Sequence, residues 1–218
     1  MSKQMTVAIA GLGSRGRDTY AKAAKIYPDK MKIVAIADID PEKVKLTAEE
    51  YDVPMSHCYE SAEDMLKEEK LADVMIIATQ DRQHVGQAIK ALKKGYHLLL
   101  EKPISPDLGE CRKISEVAKE CKREVVVCHV LRYTPIYQKV KEILDAGTIG
   151  DVISIMAIEN VGWFHQAHSF VRGNWANSDE TSPMILQKCC HDMDILIWLT
   201  GKRARYVSSY GNNYLFRA

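Results

Sequence analysis

The stretch MTVAIAGLGSRG, residues 5–16, constrains everything downstream of it. An apolar run of strand-forming residues ends in three glycines spaced G-x-G-x-x-G, and an amphipathic segment starts at about residue 15. A strand that passes at once into a helix is the opening of a βαβ unit, and the pattern continues. Further apolar runs lie at 31–37 (MKIVAIA), near 57–59, at 74–78 (VMIIA), 97–100 (HLLL) and 125–128 (VVVC). Helical segments are expected between them at 15–26, 41–51, 61–69, 82–94 and 107–121, with Asp40-Pro41 and Ser61 as caps and Gly95 as a stop. Strands alternating with helices specify a doubly wound parallel sheet, an α/β fold of Rossmann type, over residues 1–128.

In that setting GLGSRG, residues 11–16, has a physical task. Gly11 permits the tight turn, Gly13 lets a pyrophosphate approach the backbone, and Gly16 lets helix and strand pack closely. Ser14 and Arg15 complete the loop, and the helix N-terminus offers N–H groups and partial positive charge to phosphates. Asp38 ends the second strand twenty-two residues after Gly16. A carboxylate there accepts the adenosine ribose hydroxyls and repels a 2′-phosphate, so NAD is favoured over NADP.

Composition removes other classes. Thirty basic residues against twenty-nine acidic ones leave no footprint for nucleic acid. The apolar runs are far too short to span a membrane, and the first residues lack the features of a signal peptide. A cytoplasmic location is expected. The six cysteines match no disulfide framework and contain no C-x-x-C pair, so reduced thiols are expected.

After residue 128 the rhythm changes. A helix is expected at 135–146, a strand at 151–159, a loop over 163–175 bounded by Gly162 and Gly173, a helix from Pro183 to about Leu199, and a strand at 204–210. Residues 129–218 are therefore expected to be part of an α+β second domain. Two strands do not make a self-standing sheet, so a fragment is expected.

The motifs GLGSRG, ADIDP, ATQDRQH, EKP, LRYTPIYQKVKEILDAGTIGDV and CHDMDILIWLTG, in this order, resemble the Gfo/Idh/MocA oxidoreductases, the group of glucose-fructose oxidoreductase and inositol dehydrogenases. The resemblance implies a Rossmann domain that holds NAD or NADP, and a second domain, with a mostly antiparallel sheet, that closes the substrate pocket and builds homo-oligomers. It places Thr79 and His84 beside the cofactor, Glu101 and Lys102 beside the nicotinamide, and His191 in the substrate pocket. Lys102 has a task on physical grounds too, because oxidising an alcohol carbon requires its hydroxyl proton to leave, and a lysine in a partly dry cleft can accept it.

LQKCCHDMD, residues 186–194, sits on the helix expected from Pro183. Steps of three and four put Lys188, His191 and Asp192 on one face. Cys189 and Cys190 differ in direction by roughly 100°, which disfavours a metal or redox reading. His191 can exchange a proton with a substrate oxygen, Lys188 can hold an alkoxide, and Asp192 or Asp194 can orient the imidazole. The resemblance would put an aspartate where Gln187 stands, Gly-Gly where Ser182-Pro183 stands, and Pro-Asn where Gln80-Asp81 stands, which marks a divergent subgroup. Arg132, Trp163 and Trp175 are candidate substrate contacts, the tryptophans as rings covering the C–H faces of a sugar. His165 and His168 would suit a metal only on a helix, and no metal is expected. The expected activity is NAD-dependent hydride transfer to or from a sugar, polyol or related hydroxy compound. The alternatives are a glycosidase of the same scaffold that retains its NAD and a non-catalytic dinucleotide-binding regulator.

Overall fold

A computed structural model describes residues 3–212. The chain divides into two compact units, Met1–Cys128 and His129–Ala218.

The first unit is built on six strands: β1 (Met5–Ala10), β2 (Met31–Ala37), β3 (Cys58–Tyr59), β4 (Val74–Ile77), β5 (His97–Leu100) and β6 (Val125–Val127). They form one sheet in the order β3-β2-β1-β4-β5-β6, with every pair parallel. Helices α1 (Lys22–Ile26), α2 (Pro41–Tyr51), α3 (Ala62–Met65), α4 (His84–Lys93) and α5 (Leu108–Glu120) connect them. Caps form where the sequence indicates, at Asp40 and Ser61, and a further one forms at Asp107. Asp40 accepts from the backbone N–H of Glu42 and Lys43, Ser61 from Asp64, and Asp107 from Glu110. Gly95 takes a left-handed φ of +89° directly after α4.

Side chains of a strand alternate between faces, and each face of this sheet has its own core. Val7, Ile9, Ile33, Ile36 and Ile76 pack on one side. Ala8, Ala10, Met75, Ile77, Leu98 and Leu100 pack on the other with Ala88, Ala91, Ile114 and Val117 from α4 and α5. The register between β1 and β2 shifts between Val7 and Ala8, so that Val34 is an extra residue and it and Ala35 both serve the second core. The order of strands reverses direction between β1 and β4, and in such sheets ligands bind in the crevice beyond the carboxyl ends there.

Two helices of this unit depart from expectation. The segment after the glycine loop begins as π-helical turns, Gly16–Ala21, before α1, with wide bonds such as Tyr20 N–H to the Arg15 carbonyl. The helix expected over 61–69 is only the four residues of α3.

The second unit contains α6 (Pro135–Asp145), α7 (Trp163–His165) running into π-helical turns Gln166–Val171, and α8 (Met184–Thr200), closed by Gly201 in the left-handed region. The loop expected over 163–175 is therefore helical for most of its length. Gly162 and Gly173 bracket that helical stretch rather than preclude it. The strands expected at 151–159 and 204–210 are not formed, because among the described residues no strand lies alongside to take their backbone bonds. Their apolar side chains are exposed, Ile153 by 90% and Tyr210 by 96%.

Candidate dinucleotide and substrate sites

The glycine loop leaves β1 at the sheet's switch point. Gly11 has φ +88°, and a Cβ there would lie 2.4 Å from the Ala78 carbonyl oxygen at the end of β4. A Cβ on Gly16 would lie 1.8 Å from the Gly11 carbonyl oxygen, so the helix start is pressed directly onto the turn. Gly13 is different: nothing approaches within 4 Å of the place its Cβ would take. Two glycines are thus demanded by the protein's own packing, while the third keeps open a face of backbone. That is the cradle a pyrophosphate needs, and the residues fit a dinucleotide. Ser14 and Arg15 are exposed on the same loop.

Asp38 reaches back to this loop. Its Oδ2 accepts the Leu12 backbone N–H, and its Oδ1 accepts the Asp40 N–H at 2.9 Å. Two backbone donors hold the carboxylate in place, and each oxygen keeps a lone pair for a ribose hydroxyl.

At the end of β5, Glu101 is 6% exposed. Its Oε2 accepts the Lys102 backbone N–H at 3.0 Å, its Oε1 accepts from the Tyr20 hydroxyl, and the Arg15 Nε stands 3.9 Å away. The Cys128 thiol, at the end of β6, also lies within hydrogen-bonding reach of Tyr20. Burial pushes that thiol up to about 12, and burial, followed by the neighbouring Cys128 and Glu101, raises the Tyr20 hydroxyl as well. Both groups stay protonated around a buried carboxylate. Lys102 is partly buried, and the Lys102–Pro103 peptide is cis.

Thr79 and His84 serve this corner from within. His84 is 2% exposed, with Nδ1 at 2.9 Å from the Pro103 carbonyl oxygen and Nε2 at 3.1 Å from that of Thr79. Burial lowers its pKa, with the two carbonyls opposing. His84 ties the segment after Lys102 to the end of β4. The Thr79 hydroxyl donates to Gln87 Oε1 at 2.7 Å.

In the second unit, α8 carries Lys188, His191 and Asp192 with partial burial. The His191 and His129 rings meet edge-on at 5.8 Å, and the Lys188 ammonium lies 5.9 Å from the centre of the Phe170 ring. Gln187 is buried, and none of the six cysteines forms a disulfide. Asp194, one of the two aspartates expected to orient His191, pairs with Arg132. Both its oxygens accept from the Arg132 guanidinium at 2.6 Å, and that guanidinium also lies over the Trp198 ring at 5.8 Å. This bidentate pair engages Nε and Nη2 of Arg132, so the substrate contact expected of Arg132 would fall to Nη1.

Trp163 and Trp175 line one concavity of about 490 Å³ within the stretch 163–175. His165 and His168 lie on the helical part of this segment, and no group of three metal-ligating side chains occurs among the described residues.

Sequence reasoning missed Tyr20, Gln87, Cys128 and His129. Tyr20 lies nine residues beyond Gly11 with only helical periodicity to mark it, and its bond to Glu101 joins elements eighty-one residues apart. No local signal announces such a pairing.

Residues 5–129 match the family described as an oxidoreductase family with an NAD-binding Rossmann fold, and residues 137–216 match the Gfo/Idh/MocA C-terminal domain. An inositol 2-dehydrogenase of Corynebacterium glutamicum is 25% identical over 204 residues, covering 93% of this chain and 56% of that protein. Among solved structures, scyllo-inositol dehydrogenase from Lactobacillus casei with bound NAD(H) and scyllo-inositol aligns with TM-score 0.73 at 25% identity, over 91% of this chain and 57% of that one. The WlbA dehydrogenase from Bordetella pertussis, in complex with NADH and UDP-GlcNAcA, aligns with TM-score 0.73 at 22% identity, again over 91% and 57%, which shows a shared fold. The chain spans about half the length of the curated relatives it matches, 48% and 56% for two of them. With both of its parts matched in order and its first unit folded as a six-stranded parallel sheet, this chain belongs to the Gfo/Idh/MocA oxidoreductase family and carries that family's NAD-binding Rossmann fold.

Proposed function

We propose that this chain provides the cofactor-binding part, and some of the substrate-binding part, of an NAD-dependent dehydrogenase acting on a CH–OH group of a sugar, polyol or related compound. One observation carries the reading: the loop at 11–16 keeps Gly13 open while Asp38 is braced against Leu12. Gly11, Gly13, Ser14, Arg15 and Gly16 would hold the diphosphate, and Asp38 the adenosine ribose, with NAD preferred because a fixed carboxylate repels a 2′-phosphate. Thr79 and Glu101 shape the nicotinamide end, with His84 behind them.

NAD, when bound, supplies the hydride acceptor at its nicotinamide. Lys102 takes the proton from the substrate hydroxyl oxygen as the C–H bond gives up its hydride, and Glu101 steadies Lys102 through its backbone N–H. In the second unit, His191 is the group proposed to exchange a proton with a substrate oxygen, and Lys188 the one to stabilise negative charge on it. The relatives named for inositol and sugar derivatives support a hydroxylated substrate. Absent disulfides fit a cytoplasmic enzyme. Assembly into a homo-oligomer through the second domain belongs to the same proposal.

A buried Gln187, which cannot titrate, favours one second reading: a glycosidase that oxidises and re-reduces its sugar on retained NAD. Turnover assays separate the two, since the glycosidase releases product without net NADH. The test of the main reading is Lys102→Met. Hydride transfer should fall by roughly a hundredfold or more, as expected for losing a positioned acid–base group, while NAD affinity persists. Unchanged turnover would remove Lys102 from the chemistry.

A further inference from the structure

The concavity within residues 163–175 is lined by aromatic rings and by a guanidinium, with no carboxylate. Trp163 and Phe164 are 65% and 72% exposed, so two large rings face outward at its rim. The Phe164 and His168 rings stack at 5.4 Å, and Phe170 meets Trp175 at 6.3 Å with the Lys188 ammonium on its ring. Arg172 and Asn174 line the same hollow, and no carboxylate does. Arg172 forms no ion pair among the described residues and is exposed. The indole N–H of Trp175 is buried without an acceptor among the described residues.

The backbone builds this arrangement deliberately. Gly173 lets the chain fold back so closely that a Cβ there would lie 2.4 Å from the His168 carbonyl oxygen. The Trp175 N–H then bonds the Ser169 carbonyl at 3.2 Å, and the Arg172 N–H bonds that of Ala167 at 3.2 Å, which sets guanidinium, imidazole and indole around one hollow. Its size, about 490 Å³, suits a small molecule.

A site for neutral hydroxyls needs acceptors as well as donors, since each hydroxyl has a proton to give. Here Ser169, His168 and Asn174 can accept as well as donate, but the full charge on the lining is the exposed Arg172 guanidinium, which no carboxylate on the lining offsets, and the rings offer flat apolar faces. We infer that this hollow binds a hydroxylated small molecule through an oxyanion, a carboxylate or phosphate, gripped by the Arg172 guanidinium, with the carbon skeleton against Trp163 and Phe164. The inference deepens the substrate half of the proposed function and rests on the reading that residues 163–175 meet the substrate. It makes the substrate an acidic sugar or polyol rather than a neutral one.

Equilibrium dialysis and tryptophan fluorescence with glucuronate, glucose 6-phosphate, glucose and myo-inositol test it without any turnover. One or both acidic probes should saturate, and the neutral pair should bind about tenfold or more weakly, the effect of a charged hydrogen bond. Glucuronate against glucose 6-phosphate tells carboxylate from phosphate. Arg172→Gln should erase the preference, and Arg172→Lys should restore part of it by returning charge without the planar fork. Equal binding of neutral and acidic probes, no saturation by any of the four, or an Arg172→Gln protein with undiminished preference would overturn the inference. NAD calorimetry on the same samples separates it from the dinucleotide reading: NAD heat without oxyanion saturation refutes only the hollow, and the reverse refutes only the cofactor site.

Discussion

At the scale of single residues, the three glycines of one loop divide into two kinds. Gly11 and Gly16 are required by neighbouring atoms of the protein, and Gly13 by none. Gly16→Ala must push helix and turn apart, and we expect it to lower stability by about 1–3 kcal/mol, the usual cost of overpacking, read as a fall in melting temperature. Gly13→Ala meets no protein atom, so its melting temperature should match that of the parent while NAD affinity drops. If both variants lose stability alike, the open face at Gly13 is not reserved for a ligand. Asp38 belongs to the same argument. Asp38→Asn keeps an oxygen for the Leu12 N–H but removes the charge, so NAD affinity should weaken about tenfold while NADP loses less. An unchanged ratio of the two affinities would place the ribose elsewhere.

At the scale of elements, the corner where β5 and β6 end is joined to the turns after the glycine loop by Tyr20, Glu101 and Cys128. Cys128 and Tyr20 are acids held neutral by the fold. The unfolded chain gives up the thiol proton near its ordinary value of 9.0, and the folded chain only near about 12. The raised folded value means that this stability is complete below pH 9.0 and fades as pH climbs through about 12. We expect the melting temperature of the parent to fall more steeply above pH 9 than that of Cys128→Ala; parallel curves would show that the thiol is not buried at this corner. Such an arrangement explains why the elements were legible in the sequence and their joints were not. Alternating apolar residues and the caps Asp40 and Ser61 are local, and the strands of the first unit form within a residue or so of their expected places. The Tyr20–Glu101 and Arg132–Asp194 pairs link residues far apart in sequence, where no periodicity speaks. Residues 151–159 and 204–210 have strand-like sequences and no strand beside them among the described residues, and a pleated run without a lateral partner has nowhere to place its backbone bonds. Gly162 and Gly173 misled in the other direction, since a helical stretch fits between them.

At the scale of the whole chain, the candidate sites are divided along the sequence. The first unit has a fully formed doubly wound sheet with both faces packed, and its switch point carries the glycine loop, Asp38, Thr79 and Glu101 at strand ends. The second unit holds its candidate chemistry on α8 and in the hollow at 163–175, among many exposed apolar side chains. No helix among the described residues is long and apolar enough to cross a membrane. The claim on which the rest depends is that the loop at 11–16 and Asp38 together hold a dinucleotide. Titration calorimetry of the purified chain with NAD and with NADP measures it directly. We expect one saturable site for NAD and an affinity for NADP about tenfold or more weaker. Absence of saturable heat with either nucleotide would contradict the account.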